Sequence, residues 1–175
     1  SVLFILPLSF GLAAATRIGN LVGEKELRKA KYASHIAILI CLVGAIVNTA
    51  IILSFREALV SLYSEDLAVI AIAINLLLFA AIFQIPDGMQ MGALGSLRGY
   101  KDTFAPMLML ILTYWFIALP AGYYLTYYGL FGDALGPAGI WIGMITGLTA
   151  FAALIIPRLN YIANKFITKS SSILP

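Results

Sequence analysis

Five long apolar stretches constrain the fold of this 175-residue chain more than any other feature. They occupy residues of about 1–15, 33–55, 67–97, 104–128 and 134–157. All except the first reach the roughly 20 residues that a helix needs to cross a bilayer. Membrane-spanning β-strands are about half as long and alternate in polarity. The pattern therefore predicts an all-α, polytopic membrane helix bundle with five transmembrane helices.

Composition supports a membrane protein. Hydrophobic residues make up 62% of the chain and charged residues 11%, and the mean hydropathy is +0.99. So few charges cannot cover a soluble globule of this length. The net charge is +3, but the basic residues lie in short clusters between apolar runs, which is typical of a membrane surface. We expect the lipid bilayer as a partner, and no nucleic acid.

The organisation of the chain is simple. The first apolar stretch is too short to span a bilayer, so we expect it to be the end of a helix that begins upstream of Ser1. Residues 1–168 are predicted to form a partial transmembrane lobe, and residues 169–175 a short cytoplasmic tail.

The positions of lysine and arginine predict the orientation. Short loops rich in these residues stay in the cytoplasm. Only Arg56 lies on the opposite side, where tyrosines 123, 124, 127 and 128 are typical of an interfacial aromatic belt. We therefore expect a multi-pass protein of the cytoplasmic (inner) membrane with a cytoplasmic carboxyl terminus. The ten residues on the predicted cytoplasmic side are Arg17, Lys25, Arg28, Lys29, Lys31, Arg98, Lys101, Arg158, Lys165 and Lys169.

Asp87 is the most informative polar residue because it lies within the third apolar stretch. An intramembrane acid is costly unless it faces a cavity or a partner, which makes binding or coupling its default interpretation. Pro86 removes a backbone donor and frees a carbonyl near Ile82. Such oxygens suit Na⁺, and a carboxylate shielded from water can equally carry a proton. The alternative is that the helix ends near Gln84 and that Asp87 caps a second, interfacial helix.

Four other residues are candidates for the same region. Gln84 and Asn75 precede Asp87 at spacings expected to place all three near one helix face, with hydrogen bonding between helices as the alternative role. Tyr114 and Trp115 lie too deep in the fourth stretch for an interfacial belt. They could wall a cavity that takes flat organic cations, with core packing as the alternative.

The remaining motifs indicate packing and no chemistry. The sequence contains no HExxH, GxSxG, GxxxxGKS or GxGxxG motif, so we expect neither an enzyme nor a cofactor. Its single cysteine, Cys41, allows no intrachain disulfide. Glycines spaced three and four apart in the last apolar stretch predict a face for close helix packing, at Gly136, Gly139, Gly143 and Gly147.

Several segments resemble one transporter family, the multidrug and toxic compound extrusion (MATE) family, in its NorM-like branch. Residues 83–87 (FQIPD) and 95–103 (GSLRGYKDT) are similar to the family's tenth helix and the loop that follows it. Residues 7–23 resemble the end of its eighth helix, 114–123 its eleventh and 136–143 its twelfth. The likeness covers nearly the whole chain.

The resemblance implies helices 8–12 of a twelve-helix antiporter that exports small organic cations by alternating access. Asp87 then matches the acid of the tenth helix, which couples transport to Na⁺ or H⁺ with Gln84 beside it. Phe83 stands where other members have a tyrosine, which leaves the coupling ion open. Asp66 matches an outer acid that contacts drugs in some members, and Asn75, Phe83, Tyr114 and Trp115 are candidates for the substrate cavity. The family's second acid and its amino-terminal helices lie outside this sequence.

Two other classes of protein remain as alternatives. A flippase for lipid-linked substrates could have a similar number of helices, although a basic cavity would suit its anionic substrate better than one acid. A non-transporting membrane anchor, or an inactive remnant of a transporter, is the other alternative. A membrane anchor would leave Asp87 and Pro86 without a function.

Overall fold

A computed structural model of the protein describes residues 2–61, 67–129 and 133–171. All regular secondary structure in these ranges is helical, as the sequence predicts. A π-helical segment joins the fourth helix to the fifth. The elements are α1 (Val2–Gly23), α2 (Leu27–Ser61), α3 (Leu67–Gly99), α4 (Phe104–Thr113), the π segment (Tyr114–Ala118), α5 (Leu119–Tyr127) and α6 (Pro137–Ser171).

Four helical stretches within the described ranges are long and apolar enough to cross a membrane. They coincide with the second to fifth apolar stretches of the sequence, and the 22-residue helix α1 coincides with the first. The predicted polytopic helix bundle is confirmed. The four stretches are Leu27–Ala58, Ile72–Gly99, Phe104–Tyr127 and Pro137–Ser170.

Several helices extend beyond the apolar stretches that predicted them. α1 continues to Gly23 and α6 to Ser171. The residues added to α6 include Arg158, Lys165 and Lys169, which are good helix formers and do not end a helix. α6 therefore includes Lys169, past the predicted boundary at residue 168, and residues 172–175 lie outside the described part. α2 is kinked at Phe55, whose φ of −113° and ψ of 15° are not helical.

α3 lies at the centre and packs against α1, α2 and α6. Its glycines permit this: a Cβ at Gly88 would lie 2.8 Å from the carbonyl oxygen of Cys41, and one at Gly92 would lie 2.9 Å from that of Ala37. Cβ atoms at Gly95 and Gly99 would overlap α1 in the same way. These small residues let the backbones of neighbouring helices approach closely. They fix α3, and with it Asp87, against α1 and α2.

The predicted glycine face of the last stretch is present in α6. Cβ atoms at Gly139, Gly143 and Gly147 would overlap atoms of α5 or of the π segment. Gly136 does not belong to this face, because it precedes α6, has a φ of +55° and has open space around its Cβ position. It serves the turn into α6, where a positive φ favours glycine.

The π segment lies one turn before Pro120. Proline has no backbone N–H, so the carbonyl of Phe116 cannot receive its usual helical hydrogen bond. The wider π turn accommodates this defect and bends the helix. The irregularity thus lies directly before the proline that causes it.

The far end of this span carries the four tyrosines predicted to form an aromatic belt. All four are more than half exposed on the outside of the bundle. Their rings pair along the helix, Tyr123 with Tyr127 at 4.9 Å between ring centroids and Tyr124 with Tyr128 at 5.5 Å. Exposed tyrosines near a helix end suit the boundary between lipid and water.

Candidate functional site

Asp87 lies in the middle of a continuous helix. α3 runs from Leu67 to Gly99 with Pro86 inside it, so the alternative in which the helix ends near Gln84 is wrong. The side chain is only 3% exposed, and the next residue, Gly88, packs directly on α2. The carboxylate is therefore held inside the bundle, between α3 and its neighbours.

The two oxygens of the Asp87 carboxylate have different environments. Oδ1 accepts a hydrogen bond of 2.8 Å from Nε2 of Gln90, one turn later on α3. Oδ2 is buried and has no hydrogen-bond partner among the described residues. A buried charge that is left uncompensated costs several kcal/mol, so this oxygen favours a cation, a proton or a donor from elsewhere in the protein.

The backbone next to Asp87 is irregular because of Pro86. Its ring nitrogen cannot donate to the carbonyl of Ile82, one turn earlier. The neighbouring carbonyl, that of Ala81, accepts a hydrogen bond of 2.9 Å from Oγ1 of Thr49 on α2. A side chain of α2 thus supports the helix at this defect, which keeps the turn before Asp87 in place.

Phe83 and Tyr114 bring two other elements to this region. The Phe83 ring packs edge-on against Trp141 of α6, with 6.1 Å between ring centroids and 85° between ring planes. Tyr114, in the π segment, is half-buried and lies within electrostatic reach of Asp87. α6 therefore packs against the turn of α3 that precedes Asp87, and α2 packs against the residue that follows it.

Tyr114 also lines a cavity of about 310 Å³ between the π segment, α5 and α6. Tyr123 and Tyr127 lie at one side of this cavity, and Ile140 and Met144 of α6 at the other. The volume is at the lower end of the range for small-molecule sites. Asp87 is not among the lining residues, so in this structure the cavity and the acid are separate features that share Tyr114 as a neighbour.

The other residues predicted for the site make no hydrogen bond to Asp87 in the described structure. Gln84 is half-buried and Asn75 is exposed. Twelve residues turn a helix by about 1,200°, which places Asn75 about a third of a turn away from Asp87 and not on its face. Trp115 is 66% exposed and does not line the cavity. The prediction for Asp66 lies outside the described residues.

Two residues of the site did not stand out in the sequence. Gln90 binds Asp87, and Thr49 binds the carbonyl of Ala81 beside the proline. Gln90 could have been found from its spacing, because residues three apart on a helix lie next to each other. Thr49 gives no such signal, because its partner is 32 residues away on another helix.

The oxygen atoms at this site fit a single monovalent cation or a proton. Within the described ranges, no group of three or more His, Cys, Asp or Glu side chains is placed to hold a metal ion. Asp87 contributes one carboxylate, and the side-chain carbonyl of Gln90 and a backbone carbonyl near Pro86 are further oxygens of the kind that Na⁺ accepts. A carboxylate with a single hydrogen-bond partner, such as that of Asp87, is equally suited to bind and release a proton.

This fold, with long apolar helices around a buried acid, defines a polytopic membrane protein of the transporter type. The family model described as MatE matches residues 1–124, and the chain belongs to this family.

Similar proteins agree with this assignment. The chain is 40% identical over 167 residues to the multidrug resistance protein PmpM of Pseudomonas aeruginosa, covering 95% of this chain and 35% of that protein. It is 38% identical to the multidrug resistance protein NorM of Photobacterium profundum, covering 93% of this chain and 36% of that protein. The chain thus spans about a third of the length of these relatives.

A solved structure matches the fold. The crystal structure of the eukaryotic MATE transporter AtDTX14 superposes with a TM-score of 0.81, covering 95% of this chain and 38% of that one. The sequence identity in this match is 24%. The likeness supports the arrangement of the helices.

Proposed function

We propose that this chain is the carboxyl-terminal part of an antiporter that exports small organic cations in exchange for Na⁺ or H⁺. The names of its curated relatives, multidrug resistance proteins, support the drug-export part of the proposal. The buried Asp87 carboxylate supports the coupling part, because an acid inside a membrane bundle is retained for a function. The protein would work in the cytoplasmic (inner) membrane, with the carboxyl terminus in the cytoplasm.

The observation that carries the proposal is the unequal environment of the Asp87 carboxylate. Gln90 fixes Oδ1, whereas Oδ2 lacks a partner in the described part of the chain. Binding of a cation or proton to Asp87 would relieve the cost of the buried charge. The bound ion would favour one conformation of the transporter and the bound substrate the other conformation. Binding of the ion then drives release of the substrate, and binding of the substrate drives release of the ion.

The remaining candidates have subordinate roles in this proposal. Gln84 would lie beside the coupling ion, and Asn75 and Trp115 would face a substrate cavity formed with the other lobe of the transporter. Phe83 and Tyr114 would form its aromatic wall, where a flat organic cation can lie against a ring face. Asp66 would attract cationic substrates at the outer opening.

Efflux of ethidium from cells tests the proposal. Cells that express the full-length transporter are loaded with ethidium, and sodium and pH gradients are imposed separately. We expect one of the two gradients to drive efflux in the wild type and Asp87→Asn to remove that response. Asp133→Asn is the matched control, because it makes the same change at an exposed aspartate on the predicted outer side.

Other outcomes would favour the alternative classes. Efflux by Asp87→Asn at the wild-type rate, with equal membrane expression, would overturn the role of Asp87. Absence of efflux under both gradients in the wild type would contradict the antiporter and favour a flippase or an anchor. Transbilayer movement of a fluorescent lipid would then distinguish those two.

A further inference from the structure

A groove of about 490 Å³ lies between α1 and α2. The two helices are antiparallel neighbours, so the end of α1 lies beside the start of α2. The groove is therefore polar at one end, where Arg17, Lys29 and Tyr32 lie, and apolar at the other. The rest of its lining is apolar and consists of four alanines and four larger residues: Ala13, Ala14, Ala33, Ala37, Phe10, Leu21, Ile36 and Ile40.

We propose that this groove binds one anionic phospholipid of the cytoplasmic leaflet. The guanidinium of Arg17 and the ammonium of Lys29 would hold the phosphate, and the hydroxyl of Tyr32 can donate to it. An acyl chain would then lie along these alanines towards Phe10 and Ile40. This polarity matches the bilayer, since the charged end is on the predicted cytoplasmic side.

The charges of the groove select the occupant. Arg17 and Lys29 repel the organic cations that the transporter would export, and they attract a phosphate. One acid is close: Oε1 of Glu26 lies 3.2 Å from Nζ of Lys29, but both side chains are largely exposed and such pairs are weak. An ammonium has three N–H donors, so Lys29 can bind Glu26 and a phosphate together. A free phosphate ion would leave the apolar part of the groove empty.

Native mass spectrometry of the purified, delipidated full-length transporter tests this site. Phosphatidylglycerol and phosphatidylethanolamine are titrated separately. We expect phosphatidylglycerol to bind more tightly, and Arg17→Gln to weaken its binding about fivefold, the effect of one basic residue near an anionic lipid. Arg28→Gln is the matched control, because it removes the same charge from an exposed position outside the groove. Inorganic phosphate in excess should not displace the lipid.

A second variant tests the apolar part without changing the charge. Ala13 is exposed and lines the groove, so Ala13→Phe should block the acyl chain and weaken binding of phosphatidylglycerol with no change in the melting temperature of the lipid-free protein. Unchanged lipid binding by Arg17→Gln, or equal weakening by Arg28→Gln, would overturn the proposal. A large fall in the melting temperature of Ala13→Phe would also overturn it, because the groove would then be filled by another helix of the longer protein.

Discussion

Gln90 donates a hydrogen bond of 2.8 Å from Nε2 to Oδ1 of Asp87, while Oδ2 of the same carboxylate has no partner in the described residues. Both side chains lie on α3, one helical turn apart, and both are buried. This bond fixes the carboxylate in one orientation and leaves its second oxygen for an ion. Gln90 is therefore a positioning residue for the proposed coupling site.

Replacing Gln90 tests this role. We expect Gln90→Leu to lower the Na⁺ or H⁺ concentration needed for half-maximal efflux by roughly tenfold, because the N–H donor of Gln90 stabilises the charged, ion-free carboxylate and a hydrogen bond to a charged group contributes about 1.5–3 kcal/mol. Gln84→Leu is the comparison: Gln84 is the chain's other glutamine and makes no hydrogen bond to Asp87 in the described structure, so its replacement should have the smaller effect. A larger effect from Gln84→Leu than from Gln90→Leu would show that the pair seen here does not act in coupling.

Phe83→Tyr should change the dependence of efflux on sodium. The added hydroxyl would lie one turn before Asp87 and could supply an oxygen to Na⁺, so less sodium should be needed for the same rate. Phe83→Leu serves as control, because it removes the ring contact with Trp141 and adds no oxygen. Identical sodium curves for Phe83→Tyr and the wild type would assign this position to packing alone.

Gly92→Ala should destabilise the transporter. A Cβ there would lie 2.6 Å from Cα of Ile38, so α3 would have to move away from α2. Overpacking of this kind costs about 1–3 kcal/mol, which should appear as a lower melting temperature in detergent. Gly23→Ala is the matched control, since nothing lies within 4 Å of its Cβ position. Equal melting temperatures of the two variants would contradict the close contact of α2 with α3.

Asp102→Asn should also lower stability. Asp102 follows α3 and accepts hydrogen bonds from Nε and Nη2 of Arg158 on α6, at 2.8 and 3.3 Å. The pair is partly buried, and loss of the carboxylate charge should cost about 2 kcal/mol in the free energy of unfolding. Glu26→Gln breaks the exposed pair with Lys29 and should change little. The prediction fails if urea unfolding of the full-length protein gives the same free energy for both variants.

The sequence predicted the helices well, because apolar stretches of membrane length have few alternatives. Asp87 was also found from the sequence, since a lone acid in such a stretch is unusual. The central position of α3 was not predicted. Its glycines at positions 88, 92, 95 and 99 have the spacing of a packing face, but which helices they contact depends on tertiary structure.

The surroundings of Asp87 were predicted less well. Gln84 and Asn75 were chosen because their spacing was expected to place them near the face of Asp87, yet the hydrogen-bond partner in the structure is Gln90. On a helix, Asp87 has one neighbour three residues before it and another three residues after it. The sequence alone does not say which of the two turns towards the carboxylate. The contribution of Thr49 comes from α2 and depends on how the two helices are aligned.

Transport by purified protein in liposomes tests the central claim, that Asp87 couples export to an ion, most directly. The full-length wild type, Asp87→Asn and Asp133→Asn are reconstituted, and ethidium transport is recorded under a sodium gradient and, separately, a pH gradient. The account predicts that one gradient drives transport by the wild type and by Asp133→Asn, and that Asp87→Asn transports no faster than protein-free liposomes. Gradient-driven transport by Asp87→Asn at the wild-type rate would contradict it.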